Sequence, residues 1–441
     1  MPTAPQILAG LVWASGGKAP GLLEDIRTAV HPPVHQHAGR RAAYAWAAPG
    51  SAPREDQVRV GVVGCGYWGS KHVRVLQQIP VVSEVVVVDP RPERRAEFIP
   101  SASGITAFSD LTSALPRMDA AVIAVPPTEH SRIALQAIAA GKHVLVEKPM
   151  TTSTASAHRL IEEAAARDLT LMVGHTFEYN AAVWKLREVI ESGELGEIYY
   201  IDTARLNLGM YQTDVNVLWD LAPHDISIIN YLLGSGARSV HAWGARLADF
   251  SQEDVGGIRL NYGDRSVVAQ VHVSWLDPCK VRRVTVVGSQ KMAVYDDLVD
   301  QERLRIYDKS VAPVQDDVRN RPMSYRYGGI SSPYIQMQEP LRVQDEHFIE
   351  CILSGRRPRT DGESGLAVVQ TLEAAALSLR RGTAILLDGQ EAPAAKEAPT
   401  GKEAPTGKEA PTGKPALLSS THLARKGASH KEVSRTTEST R

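Results

Sequence analysis

The sequence predicts an α/β fold: a doubly wound parallel sheet forms an N-terminal domain, and an α+β domain with a mostly antiparallel sheet follows. Three observations predict it. Strand-like and helix-like segments alternate through the first third of the core, and a glycine-rich turn joins the first strand to the first helix. From about residue 197, long β-branched segments then follow one another with only turns between them.

The first strand is expected at 58–63, where Val58, Val60, Val62 and Val63 read as a buried parallel strand. Gly64-Cys65-Gly66-Tyr67-Trp68-Gly69 follows and leads into a helix over 70–78. Glycine at the first position permits the tight turn, the second lets backbone approach a pyrophosphate, and the third lets helix and strand pack closely. The next apolar strand, 84–88, ends on Asp89, at the distance expected for a carboxylate that binds a ribose 2′-hydroxyl. Together these make the first unit a Rossmann domain with NAD as the expected cofactor, because an acid there repels a 2′-phosphate. Arg91, Arg94 and Arg95 lie just beyond and leave NADP open.

Further strands are expected at 120–125, 143–146 and 169–173, with helices at 91–97, 109–115, 129–140 and 154–167. The second unit should contain strands Ile198 to Asn207, Ser239 to Ala245, Gly257 to Tyr262, Val267 to Trp275 and Val281 to Val287. Two helices, around 340–353 and 364–380, close it. The Rossmann domain is thus assigned to 58–178 and a substrate-binding and oligomerisation domain to 179–390. Residues 1–57, rich in Ala, Pro and Gly, read as a poorly ordered extension; 391–441, with Lys-Glu-Ala-Pro-Thr-Gly three times over, reads as a disordered tail.

A formal net charge of −1 at pH 7 gives no electrostatic reason to expect nucleic acid or an anionic membrane as partner. Cys65, Cys279 and Cys351 are too few and too widely spaced for a disulfide framework or a zinc knuckle. His31, His35 and His37 cluster without acidic or cysteine partners, so no metal site is expected. No apolar run reaches a bilayer's span, and the expected setting is a reducing cytoplasm.

Val144-Leu145-Val146-Glu147-Lys148-Pro149 places Lys148 at the carboxyl edge of the sheet, where ligands of open α/β sheets bind. Trp219-Asp220-Leu221-Ala222-Pro223-His224-Asp225 sets an acid and an imidazole four residues apart. Because proline is tolerated near a first turn, the helix is expected to begin at Pro223 rather than run through Asp220. Oxidising a secondary alcohol needs a base for the hydroxyl proton, and His224 suits it. A helix N-terminus lowers its pKa and Asp220 raises it. Lys148 can hydrogen-bond the hydroxyl, stabilise alkoxide or relay the proton, and Asp220 orients either His224 or a sugar hydroxyl. Lys280 and Arg282 can meet a substrate phosphate or stand as solvated strand ends.

On the glycine loop, Val125-Pro126-Pro127-Thr128-Glu129-His130, Glu147-Lys148-Pro149, and Asp220 with His224, the chain resembles the Gfo/Idh/MocA oxidoreductases over residues 58–388. The resemblance implies an NAD(P)-dependent sugar or cyclitol dehydrogenase with Lys148, Asp220 and His224 around the reacting carbon. Beside the cofactor it implies Gly64, Gly66, Tyr67, Trp68, Gly69, Asp89, Pro126, His130 and Glu147. Gly174-His175-Thr176-Phe177-Glu178-Tyr179-Asn180 falls where members enter the substrate domain, which makes His175, Glu178 and Asn180 substrate candidates. The run from Arg205 to Ile226 looks most like members that oxidise C3 of a UDP-sugar to a 3-keto sugar, which an aminotransferase then uses. Alternatives are an NADPH-dependent ketoreductase of a dTDP-keto-deoxysugar, a free cyclitol or hexose dehydrogenase such as inositol dehydrogenase, and a non-catalytic dinucleotide-binding regulator. A homo-oligomer is expected.

Overall fold

The computed structural model describes residues 57–98, 104–209, 211–212, 214–248, 251–263, 267–313 and 323–387. The expected extension before Gln57, with its three histidines, and the tail from 391 lie outside the described residues.

The first sheet alternates strand and helix: β1 (Val58–Val63), α1 (Tyr67–Leu76), β2 (Val82–Val88), α2 (Pro92–Ala96), β3 (Ile105–Phe108), α3 (Leu111–Ala114), β4 (Ala120–Ile123), α4 (Pro127–Ala139), β5 (His143–Glu147), α5 (Thr154–Ala165) and β6 (Leu171–Gly174). All pairings are parallel and the strand order is β3-β2-β1-β4-β5-β6. β3 was not foreseen, being a four-residue edge strand too short to show periodicity. α1 starts three residues earlier than expected, directly on Gly66, and α4 opens on a proline at its first position.

The second sheet is built from β7 (Ile198–Leu208), β8 (Ser239–Ala245), β9 (Val255–Tyr262), β10 (Val267–Ser274), β11 (Leu276–Gly288), β12 (Met292–Asp296), β13 (Leu304–Pro313), β14 (Met323–Ser331) and β15 (Ile385–Leu386). Its order is β14-β13-β12-β11-β7-β10-β9-β8-β15, antiparallel except for the central β7/β10 pair. The period-2 pattern sorts the faces: Ile201, Ala269, Leu260 and Val240 point into the core, while Asp202, Gln270, Arg259 and His241 point out. Helices α6 (Ala181–Glu191) and α7 (Val217–Leu233) cover the inner face.

Two expectations are corrected. The C-terminal helices α8 (Pro340–Ser354) and α9 (Gly362–Arg381) do not simply close the second unit. Leu341, Phe348 and Ile349 of α8 pack with Val60 and Val62 of the first sheet and Val73 of α1, completing the helical layer that α1 alone cannot supply. α9 puts Leu366 and Val369 into the first unit's core and Val368 and Leu372 into the second's. The helix carrying Asp220 also begins at Val217, not Pro223. Asn216 caps it by accepting from the Trp219 amide at 3.1 Å. Pro223 lies inside that helix, costing the bond its missing N–H would make to Trp219, and its burial beside Ala222 and Ile226 offsets the loss.

Candidate active site

The dinucleotide cleft opens above the carboxyl ends of β1, β2 and β4. Gly64 has φ +89, and a Cβ there would stand 2.7 Å from the Ala124 carbonyl oxygen. A Cβ on Gly69 would overlap the Gly64 carbonyl, so both positions admit only glycine. At Gly66 a Cβ would meet nothing within 4 Å, leaving bare backbone in open space where a pyrophosphate fits. A cleft of about 760 Å³ is lined by Gly64, Gly66, Asp89, Arg91 and Pro126.

Asp89 lies at the end of β2 with its carboxylate buried. It accepts from the Cys65 amide at 2.9 Å, from the Arg91 amide at 3.0 Å, and from Arg91 Nε and Nη2 at 2.9 Å each. Burial pushes this carboxyl up, but the Arg91 and amide hydrogen bonds outweigh it and hold the group down at about 2. Asp89 thus fixes the glycine loop from below, while half-exposed Arg91 covers it.

Four expected contacts turn elsewhere. Glu147 is buried and accepts from the Lys148 amide at 3.2 Å, and its Oε1 lies 3.0 Å from His72 Nε2, so its carboxylate faces inward rather than toward the cleft. His72 Nδ1 meets Asp345 of α8 at 2.9 Å, forming a buried carboxylate–imidazole–carboxylate chain. His130 is also buried, its ring held between the carbonyls of Pro149 at 2.8 Å and Val125 at 2.9 Å. Glu178 accepts from Ser227 Oγ at 2.8 Å, and burial pushes its carboxyl up to about 7. Asn180 caps α6 through the Ala182 amide at 2.9 Å and donates to Tyr295 Oη at 3.0 Å. Each polar group is engaged where burial would otherwise leave it unsatisfied. Tyr67 and Trp68 stand outside the cleft lining, 66% and 37% exposed.

Lys148, Asp220 and His224 do gather. Lys148, at the end of β5, donates from Nζ to the Asp220 carbonyl at 2.7 Å and to its Oδ1 at 3.3 Å. Trp275 Nε1 donates to Asp220 Oδ2 at 3.1 Å, fixing the carboxylate from the other side. His224 is one turn further along α7, edge-on to Phe177 with ring centroids 5.1 Å apart. Its pKa lies well below 6.5, first through burial and then through the charges of Lys148, Arg205, His175 and Arg282. His175 is fully buried and pushed down to about 4, chiefly by burial. Among the described residues nothing partners His224 Nδ1 or either ring nitrogen of His175. Two neutral imidazoles therefore present free hydrogen-bonding atoms beside an ammonium and a carboxylate, which is what a polyhydroxylated ring requires.

The sequence reading missed the support behind this cluster. Arg205 donates to Asp225 from Nε at 2.8 Å and Nη2 at 3.1 Å, both side chains buried, and its guanidinium lies 4.5 Å from the centre of the Phe177 ring. A legible signal existed: Arg205 falls on the inward phase of β7 with Ile201 and Thr203, where an arginine demands an acid. The His72–Asp345 contact had none, the two being 273 residues apart.

Comparison with known proteins identifies the family. Residues 58–175 match the GFO_IDH_MocA oxidoreductase family, described as an NAD-binding Rossmann fold, and residues 183–294 match the GFO/IDH/MocA C-terminal domain. The chain is 29% identical to the UDP-N-acetylglucosamine 3-dehydrogenase of Acidithiobacillus ferrooxidans, over 73% of this chain and 96% of that protein. It is 25% identical to the myo-inositol 2-dehydrogenase of Thermotoga maritima, over 75% and 99%. The solved structure of GenD2 from gentamicin A biosynthesis in complex with NAD superposes with a TM-score of 0.63 at 27% identity, covering 78% of this chain and 99% of its own. No helix among the described residues is long and apolar enough to cross a membrane. The protein is an oxidoreductase with an NAD-binding Rossmann domain, and it belongs to the GFO/IDH/MocA family.

Proposed function

We propose that this oxidoreductase oxidises C3 of a UDP-sugar to the 3-keto sugar, with NAD as hydride acceptor. The observation that carries the reading is the convergence of Lys148, Asp220, His224 and the unpartnered His175. Its resemblance to a UDP-N-acetylglucosamine 3-dehydrogenase supports the substrate. His224, neutral at physiological pH, takes the hydroxyl proton. Lys148, anchored by Asp220, donates a hydrogen bond to the oxygen as it gains negative charge. A dinucleotide held on the Gly64–Gly69 turn and in the cleft beside Asp89 would supply the hydride acceptor for the same carbon. His175 donates to or accepts from a neighbouring ring hydroxyl. A cyclitol substrate is the second reading, favoured by the similarity to a myo-inositol 2-dehydrogenase.

NADH absorbance, followed with UDP-glucose, UDP-N-acetylglucosamine, its uronic acid, free glucose and myo-inositol, separates these readings. Reduction confined to UDP-sugars supports the first, and reduction confined to inositol replaces it with the second. A homo-oligomer and an aminotransferase that consumes the keto sugar belong to the same proposal, and light scattering of the purified protein tests the first of these.

Because the His224 pKa is lowered, the base stays unprotonated to well below pH 6.5. The acid limb of kcat/KM is therefore expected below that value; a limb at or above it would remove His224 as the base. Asp89→Ala should weaken NAD by about tenfold, since one charge-assisted hydrogen bond to the ribose is lost. It also frees Arg91 for a 2′-phosphate, so fluorescence titration should find NADP affinity unchanged or improved; equal weakening of both would show that Asp89 serves the loop alone.

A further inference from the structure

At the N-terminus of α1, Tyr67 and Trp68 project side by side into solvent, rings edge-to-face with centroids 5.5 Å apart. Large exposed aromatics of this kind need an explanation when they adjoin a ligand cleft. Lys71, one turn on, donates to Tyr67 Oη at 3.0 Å, with Nζ 4.2 Å from the Tyr67 ring centre and 5.1 Å from that of Trp68.

The second unit carries further cations on β11. β11 is bulged against β7: Leu276 faces Leu208 and Val281 faces Leu206, so residues 277–280 loop out of the ladder. The Cys279 amide donates to Asp277 Oδ1 at 2.8 Å, which fixes the loop and uses the one acid on it. Lys280 is exposed on that loop, and Arg282 follows, part exposed, with Asp297 3.4 Å from Nη1. Asp297 is shared with Arg303, so it neutralises Arg282 only in part. The loop follows Trp275 and Leu276, and Trp275 Nε1 donates to Asp220 Oδ2 at 3.1 Å, so the loop leaves from the side of the Lys148–Asp220 cluster. Lys280 and Arg282 also act, after Lys71, to lower the Tyr67 phenol. Arg282 is also among the charges that lower His224.

We infer that Tyr67, Trp68, Lys71, Lys280 and Arg282 form a nucleoside diphosphate subsite, with the base against the exposed rings and the two phosphates on the ammonium and guanidinium groups. This rests on the dehydrogenase reading above and deepens it: the rim holds the nucleotide end of a nucleotide sugar while the ring reaches the histidines. Planar bases stack on aromatic faces, and Arg and Lys recognise phosphate by charge-assisted hydrogen bonds. An uncharged cyclitol would have no use for three cations at this rim.

The test is calorimetric titration of UDP into full-length protein saturated with NADH, with UMP, uridine and inorganic pyrophosphate as comparisons. UDP is expected to bind about tenfold or more tighter than UMP or uridine, because charged hydrogen bonds are lost in each. Arg282→Ala and Lys280→Ala should each weaken UDP by about tenfold, and Tyr67→Ala should weaken UDP but not pyrophosphate. Arg283→Ala, on the opposite face of β11, should leave UDP affinity unchanged. No UDP binding, binding that displaces NADH, binding indifferent to Arg282, or pyrophosphate binding as tightly as UDP would each overturn the subsite. NAD reduction with glucose and myo-inositol is read on the same preparation. UDP failing while either alcohol is oxidised rejects the subsite and keeps the dehydrogenase. UDP binding without reduction of NAD by any alcohol or UDP-sugar supports the subsite and rejects the dehydrogenation.

Discussion

Lys148→Met is expected to lower kcat by about a thousandfold while leaving NADH affinity nearly unchanged, since hydrogen-bonding and proton-handling groups contribute ~10²–10⁴ in rate. Methionine keeps the length and apolar body of the side chain but removes the ammonium that Asp220 anchors. Arginine should not rescue, because a planar guanidinium cannot take the place of a compact ammonium 2.7 Å from the Asp220 carbonyl. Loss of the Lys148 charge also relieves one cause of the low His224 pKa, so any residual activity should show its acid limb at higher pH than the wild type. Single-turnover and steady-state kinetics with NADH titration check this. Turnover at the wild-type rate would place Lys148 outside the chemistry.

Asp225→Ala should destabilise the protein by about 3–5 kcal/mol, because it strands a buried guanidinium. Arg205 has little access to water, and its side chain is only 6% exposed. Replacing both partners by apolar residues of similar size, Arg205→Met with Asp225→Leu, should recover most of the loss, since desolvation of the pair largely cancels its attraction. Urea unfolding of both variants measures it. A single variant as stable as the wild type would show that water reaches Arg205. The double variant should still turn over more slowly than wild type, because the guanidinium seats Phe177 against the His224 ring.

The stable double variant would show how differently the two kinds of residue were written in the chain. Lys148, Asp220 and His224 were legible because each sits in a local pattern: a lysine ending an apolar strand, and an acid and histidine one helical turn apart. The misjudged helix start was also local, since Asn216 before Val217-Leu218 is a cap signal that Pro223 obscured. Arg205 was readable in part from strand phase. Glu147 and His130 were assigned to the cofactor and Glu178 and Asn180 to the substrate, whereas each meets a buried protein group, because strand and helix periodicity say which face a residue takes, not which buried group will claim its side chain.

By itself the sequence determined the parallel sheet, the glycine turn after its first strand and the change to a mostly antiparallel sheet, and it singled out Lys148, Asp220 and His224. These follow from periods of two and 3.6 residues and from the steric demands of glycine, all of which act within a few neighbours. Tertiary structure decided the rest: the return of α8 and α9 to the first sheet, the His72–Asp345 contact, the Arg205–Asp225 pair and the neutrality of His175 and His224. Each depends on removal from water by segments distant in sequence, and desolvation is a property of the packed assembly rather than of any stretch of chain.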